Sequence, residues 1–320
     1  MVRAVRSGLE ESIHLGHVAV CDPDGRVVAW AGDPHRPIFS RSAMKPVQAA
    51  VSLAAIGDLE LSERQVAVMC SSHNGEPVHV DAVASVLALA GLGFEALRCP
   101  PDLPLDQEAA IAVGERRREF HNCSGKHSGK LLACARAGWD PERYLDPDHP
   151  LQRRILSAVE AATGLSRVAT GVDGCGAPVH AVTVAAMATA YARLARPDRM
   201  GDLAERAARC VRAMVAEPYL VAGRNRVETA VMKTDRGIAA KGGAEGLVCA
   251  AAFRPGLGIA VKVADGAWRA DAPALVETLR QLDLLGPGQL DELELHARPP
   301  VLGGGLPVGR LEPVFRLAFT

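Results

Sequence analysis

The sequence predicts an α/β (α+β) fold in which both ends of the chain build one sheet and helices fill the middle. Three observations carry this. β-Branched apolar runs flank a turn signal between residues 16 and 31. Apolar residues recur at three- and four-residue spacing through the centre, and glycine-bounded apolar runs return after residue 236. With 320 residues, 48% of them hydrophobic, the chain has material for one large core or two modest ones.

Val18 and Val20 precede a Cys-Asp-Pro-Asp-Gly turn, and Val27, Val28 and Trp30 follow it, the pattern of a hairpin over 16–31. Residues 43–56 are helical in pattern and end at Gly57. Pro46 is accommodated if that helix begins about a turn earlier, where a missing N–H costs nothing. Ser62 followed by Gln65 has the spacing of a capping box. Further helices are expected over 78–90, 107–118, 129–137, 151–162, 182–194 and 203–215; Leu151, Ile155, Leu156 and Val159 typify their spacing. Runs at 237–240, 247–253 and 258–263 read as buried strands. Residues 272–284 form a last amphipathic helix, and the Gly- and Pro-rich tail adds one edge strand near 315–319. The economical arrangement is a single domain over 1–320, with a helical subdomain of roughly 62–215 inserted in the sheet.

Formal net charge is -1, from 36 basic and 37 acidic side chains. Without a basic excess or a long charge run, no nucleic-acid partner is expected. No apolar stretch spans a bilayer free of charges or turn signals, and the first eleven residues lack the apolar core of a signal peptide. A soluble, cytoplasmic protein is the expectation. Eight scattered cysteines do not resemble a disulfide scaffold. Cys21, Cys70, Cys99, Cys134, Cys210 and Cys249 read as buried small hydrophobes, whereas Cys123 and Cys175 stand in polar, glycine-punctuated loops.

Ser42 and Lys45 form a Ser-x-x-Lys pair at a helix start. A serine hydroxyl attacks a carbonyl only when a base takes its proton, and lysine is that base only when burial or another cation lowers its pKa. The spacing alone is a weak signal, equally a cap beside a solvated lysine. Three polar clusters accompany it. Cys70-Ser71-Ser72-His73-Asn74-Gly75-Glu76 offers donors and acceptors for a small polar ligand, or a capped turn. His121-Asn122-Cys123-Ser124-Gly125-Lys126-His127 lacks the phosphate-loop spacing; a Cys123–His127 thiol dyad or a metal shared with Cys175 are its alternatives. Lys241-Gly242-Gly243-Ala244-Glu245-Gly246 permits close backbone approach of a ligand, or is a plain turn.

Taken in order with Arg41-Ser42-Ala43-Met44-Lys45-Pro46 and Asp173-Gly174-Cys175-Gly176, these clusters resemble the Rhizobium-type (class 3, thermolabile) L-asparaginases over nearly the whole chain. The resemblance implies a serine β-lactamase-like fold and an amidohydrolase that converts L-asparagine to L-aspartate and ammonia. It implies Ser42 as nucleophile with Lys45, and a second pair in Ser72 and Lys241, Ser71 being an adjacent alternative. It further implies one zinc per chain on Cys123, Lys126 and Cys175, near Asp173, and a homodimer. Lysine must be neutral to bind a metal. Arg41, His73, Asn74, Glu76, His127, Gly242 and Gly243 are the expected substrate contacts. A glutaminase or β-lactam-reactive enzyme of the same fold, a zinc-bound asparagine-binding protein without turnover, and a Cys123 thiol hydrolase are the rival readings.

Overall fold

A computed structural model describes residues 1–320. Its main sheet is six-stranded and antiparallel, in the order Ala318–Phe319, Val27–Ala31, Gly16–Cys21, Leu257–Val263, Leu247–Ala252, Ile238–Gly243. The N-terminal hairpin therefore sits beside the late strands, as the sequence predicts. Every residue of Leu247–Ala252 is buried. The helices Val184–Ala195 and Asp271–Gln281 both pack on it, which explains an apolar run without alternation. Val184–Ala195 lies very close to the sheet at Gly258, where an added Cβ would come within 1.9 Å of the Ala188 carbonyl oxygen.

The helical middle also forms, with shifted boundaries. Ser62 caps Glu63–Met69 through a complete capping box: its Oγ accepts from the Gln65 N–H, and Gln65 Oε1 accepts from the Ser62 N–H at 2.9 Å. Such caps stabilise by about 1 kcal/mol. A 3₁₀ turn, Arg41–Met44, leads into Lys45–Ile56 and leaves Pro46 in the first helical turn, where no donor is missed. The helix expected to start at Gly129 starts at Ser124 and runs to Ala137. Gly125 and Gly129 are packing positions in it, not breakers: a Cβ on Gly125 would lie 2.1 Å from the Val68 carbonyl oxygen, and one on Gly129 2.7 Å from Met69.

One sheet is not enough to describe the ends. A second, four-stranded sheet orders Pro300–Gly303, Leu306–Pro313, Val2–Arg6, Leu9–His14, and a third pairs Pro37–Phe39, Pro178–Thr183 and Thr170–Val172. In the second sheet Val2, Ala4 and Leu311 face the core, while Arg3 pairs with Glu312 and Arg6 with Glu11 on the outer side. The helix expected over 107–118 stops at Val113, because Gly114 takes a left-handed conformation. A cluster of 85 buried hydrophobic residues connects sheet and helices. The six cysteines read as core residues are all buried.

Candidate active site

Ser42 lies in the 3₁₀ turn that opens the helix Lys45–Ile56, against the edge strand Ile238–Gly243. The turn is fixed from both sides. Tyr191 Oη donates to the Ala43 carbonyl oxygen at 2.6 Å, and Gly243 approaches so closely that a Cβ there would lie 3.2 Å from the Ala43 nitrogen. Arg41 holds a left-handed backbone (φ 42°), a conformation costing about 1–3 kcal/mol in a non-glycine residue. Its Nε donates to Asp173 Oδ1 at 2.8 Å, which ties this strained position to the Asp173–Cys175 loop.

Lys45 does not hydrogen-bond Ser42. Its Nζ donates to Ser72 Oγ at 2.9 Å and to the Ser71 carbonyl oxygen at 2.6 Å, with the Asn122 carbonyl oxygen at 3.4 Å. Lys241 Nζ reaches the same Ser72 Oγ at 2.8 Å and donates to the Gly242 carbonyl oxygen at 2.6 Å. One hydroxyl is thus held between two amines, both fully buried. Burial pushes the Lys45 amine below its ordinary value, and the Lys126 charge adds to the effect. Lys241 is driven well below, by burial first and by Lys45 second. Ser71 is excluded from this pairing by its own geometry, since its Oγ caps the preceding helix at the Val68 carbonyl oxygen, 2.6 Å away.

Ser42 and Ser72 both open onto a cleft of about 380 Å³, with Arg41, Cys123, Asp173, Cys175, Gly242 and Gly243 in its wall. The other expected contacts are spent elsewhere. His73 is buried between Ser124 Oγ and the Gly75 N–H, and burial holds it well below the usual imidazole range. Glu76 Oε1 accepts from Tyr219 Oη and Arg224, and His127 Nδ1 meets Tyr144 Oη at 2.6 Å. Asn74 Nδ2 donates to the Arg224 carbonyl oxygen. None of these four lines the cleft. The Gly242 N–H is also occupied, by Glu228 Oε1 at 3.0 Å. Arg226 and Trp268 do line the cleft and belong to no motif in the sequence.

Cys123, Lys126 and Cys175 converge at one end of this cleft. Lys126 Nζ lies 2.9 Å from Cys175 Sγ, Asp173 Oδ2 lies 4.0 Å from the same sulfur, and Cys123 is in contact with Cys175. Cys123 and the Lys126 charge lower the Cys175 thiol, the shared proton with Cys123 counting most. Burial alone would lower Lys126, but Cys175, Cys123 and Asp173 outweigh it and hold the ammonium above its ordinary range. No group of three or more His, Cys, Asp or Glu side chains is placed to hold a metal ion, so any ion here needs Lys126 as a donor.

A family model described as L-asparaginase II matches residues 2–313. Among solved structures, a β-lactamase from Mycobacterium bovis is similar at 18% identity, over 82% of this chain and 94% of that one, with a TM-score of 0.44. A protein named Mglu, in its native form, is similar at 18% identity, over 86% of this chain and 66% of that one, with a TM-score of 0.41. No curated protein is significantly similar in sequence. The chain belongs to the L-asparaginase II family, the Rhizobium-type group its motifs resemble, and so to the amidohydrolases.

Proposed function

We propose that this member of the L-asparaginase II family hydrolyses the side-chain amide of L-asparagine to L-aspartate and ammonia through a serine acyl-enzyme. The observation that carries the reading is Ser72 Oγ suspended between two buried amines beside a cleft that also exposes Ser42. Ser42 Oγ attacks the amide carbon. Its proton enters the Lys45–Ser72–Lys241 chain and is delivered to the leaving nitrogen, so that ammonia departs and an aspartyl ester remains. Water then attacks the ester with the same chain as base. A depressed lysine is suited to this work because it takes and gives a proton near neutral pH.

A second reading is favoured by one observation: Lys45 bonds Ser72 and not Ser42. In it Ser72 is the nucleophile and Ser42 a substrate contact. Ammonia release from L-asparagine by Ser42→Ala and Ser72→Ala tests both. Each should lose most activity with an unchanged melting temperature, and full activity in Ser42→Ala would remove the first reading. Rates on glutamine beside asparagine decide between asparaginase and glutaminase.

The donor chemistry at the cleft end fits zinc through its two thiols, which are ligands of the kind it accepts, with Asp173 close by. Cys123, Lys126 and Cys175 would hold it, provided Lys126 gives up its proton. When bound, the ion would supply positive charge that orders the Asp173–Cys175 loop and attracts an anionic group. Elemental analysis of wild type and Cys175→Ser tests this through zinc content alone. We extend the reading to a cytoplasmic homodimer, tested by sedimentation of the purified protein. No helix is long and apolar enough to cross a membrane.

A further inference from the structure

The arginines of the cleft wall are paired in different ways. Three arginines (Arg41, Arg116, Arg226) and two aspartates (Asp102, Asp173) line it. Arg41 Nε is bonded to Asp173 at 2.8 Å and Arg116 Nη1 to Asp102 at 2.9 Å, so two arginines are neutralised within the wall. The Arg226 counter-ion lies outside it. Arg226 Nη2 donates at 3.0 Å to Glu228, whose side chain is 2% exposed and whose same oxygen accepts the Gly242 N–H. One face of the guanidinium is backed by the Trp268 ring, 5.1 Å to its centroid. Nη1 is left with two long contacts, the Ser72 carbonyl oxygen at 3.4 Å and Asn74 Oδ1 at 3.3 Å.

A guanidinium held on one edge and one face, with only long contacts at Nη1, in the wall of a cleft that also exposes Ser42 and Ser72, is pre-organised for a carboxylate. The neighbouring lysines do not compete for that role, since neither Lys45 nor Lys241 forms part of the cleft wall. Glu228 supplies the rigidity. It fixes the guanidinium and the strand carrying Lys241 through a single oxygen, so anchor and base are set relative to each other. Gly242 is required at the join, because a Cβ there would lie 2.4 Å from that Glu228 oxygen.

We infer that Arg226, backed by Trp268 and held by Glu228, binds the α-carboxylate of the substrate and sets the preference for an amino-acid amide over a simple amide. This rests on the proposed amidohydrolase reaction, and the test separates the two. L-Asparagine and 3-aminopropanamide, which is asparagine without its α-carboxylate, are compared in wild type, Arg226→Met, Arg226→Lys and Arg41→Met. Binding of L-aspartate is followed by calorimetry in the same four proteins.

Arg226→Met should lower kcat/KM for asparagine about 100-fold, chiefly through KM, and leave 3-aminopropanamide turnover within about twofold. It should weaken aspartate binding to a similar degree, and Arg226→Lys should recover part of both. An equal loss on both substrates, or a selective loss in Arg41→Met instead, would overturn the assignment. Should Arg226→Met fail to fold, Arg226→Lys carries the same comparison. Aspartate bound through Arg226 without turnover of any amide would remove the reaction and leave the anchor. Asparagine turnover unaltered in Arg226→Met would remove the anchor and leave the reaction.

Discussion

Two lysine sites lie within a few side chains of each other, and the protein drives them in opposite directions. Lys45 and Lys241 hydrogen-bond only a neutral hydroxyl and carbonyl oxygens, and burial outweighs the opposing pull of Cys123 on Lys45 and of Glu228 on Lys241, so both amines lie below their ordinary range. Lys126 is as deeply buried, yet it faces Cys175, Cys123 and Asp173 and stays charged. Burial alone therefore does not make a lysine a base. Its partners decide: hydroxyl and carbonyl oxygens leave burial dominant at Lys45 and Lys241, while a thiol in hydrogen-bond contact outweighs it at Lys126.

The largest expected effect comes from removing a neutral-side lysine. Lys241→Met should reduce ammonia release from asparagine by about 10²–10⁴-fold, the range for loss of a positioned acid–base group, with circular dichroism unchanged. Activity within a few-fold of wild type would break the distinction between the two sites. The pH profile sharpens it next. Because Lys45 and Lys241 are depressed, kcat/KM should rise with pH and reach its plateau below the ordinary lysine range. A rise delayed to the ordinary lysine range would mean that neither amine is the base.

A smaller effect is expected on the charged side. Cys175→Ser removes the thiolate that holds Lys126, leaving a buried ammonium with weaker support. The melting temperature should fall by several degrees without bound metal, and differential scanning calorimetry measures it. An unchanged value would mean that the Lys126–Cys175 contact contributes nothing to stability.

A further effect is graded with pH. Lys130, one turn beyond Lys126, is fully buried with no hydrogen-bond partner, and burial together with Lys126 lowers it to about 7. Its folded-state pKa is below the unfolded one, so between about pH 7 and 10.5 the unfolded chain binds the extra proton. Across that window this lysine makes stability rise with pH, by up to ~1.4 kcal/mol per unit. Below pH 7 the penalty is full and constant. Lys130→Met should flatten the rise, as urea titrations at pH 7 and pH 9.5 will measure. Identical slopes in variant and wild type would show that Lys130 keeps its proton in the folded state.

Much of this was legible in the residues. The hairpin, the Ser62–Gln65 box and the late strands are local patterns, written in apolar spacing and turn chemistry, and they form as read. The second sheet was not legible, because Val2–Arg6 alternates core and charged positions over five residues and finds its partner at Leu306–Pro313, some three hundred residues on. Gly125 and Gly129 looked like the end of a loop, since a glycine that permits a close helix crossing is indistinguishable in sequence from one that breaks a helix. The motifs named Ser42, Lys45, Ser72 and Lys241, but the bond from Lys45 to Ser72 joins elements 27 residues apart, and three-residue spacing points to Ser42 instead. Arg226 and Trp268 meet only in space, and no signal in the sequence pairs them.

In the proposed reaction the paired amines around Ser72 serve an acyl-enzyme on Ser42. Mass spectrometry of protein quenched during turnover of L-asparagine, followed by peptide mapping, tests it most directly. One added aspartyl group is expected on the peptide carrying Ser42, and none on that peptide in Ser42→Ala. Continued ammonia release with the adduct on Ser72, or with no adduct on either serine, would contradict it.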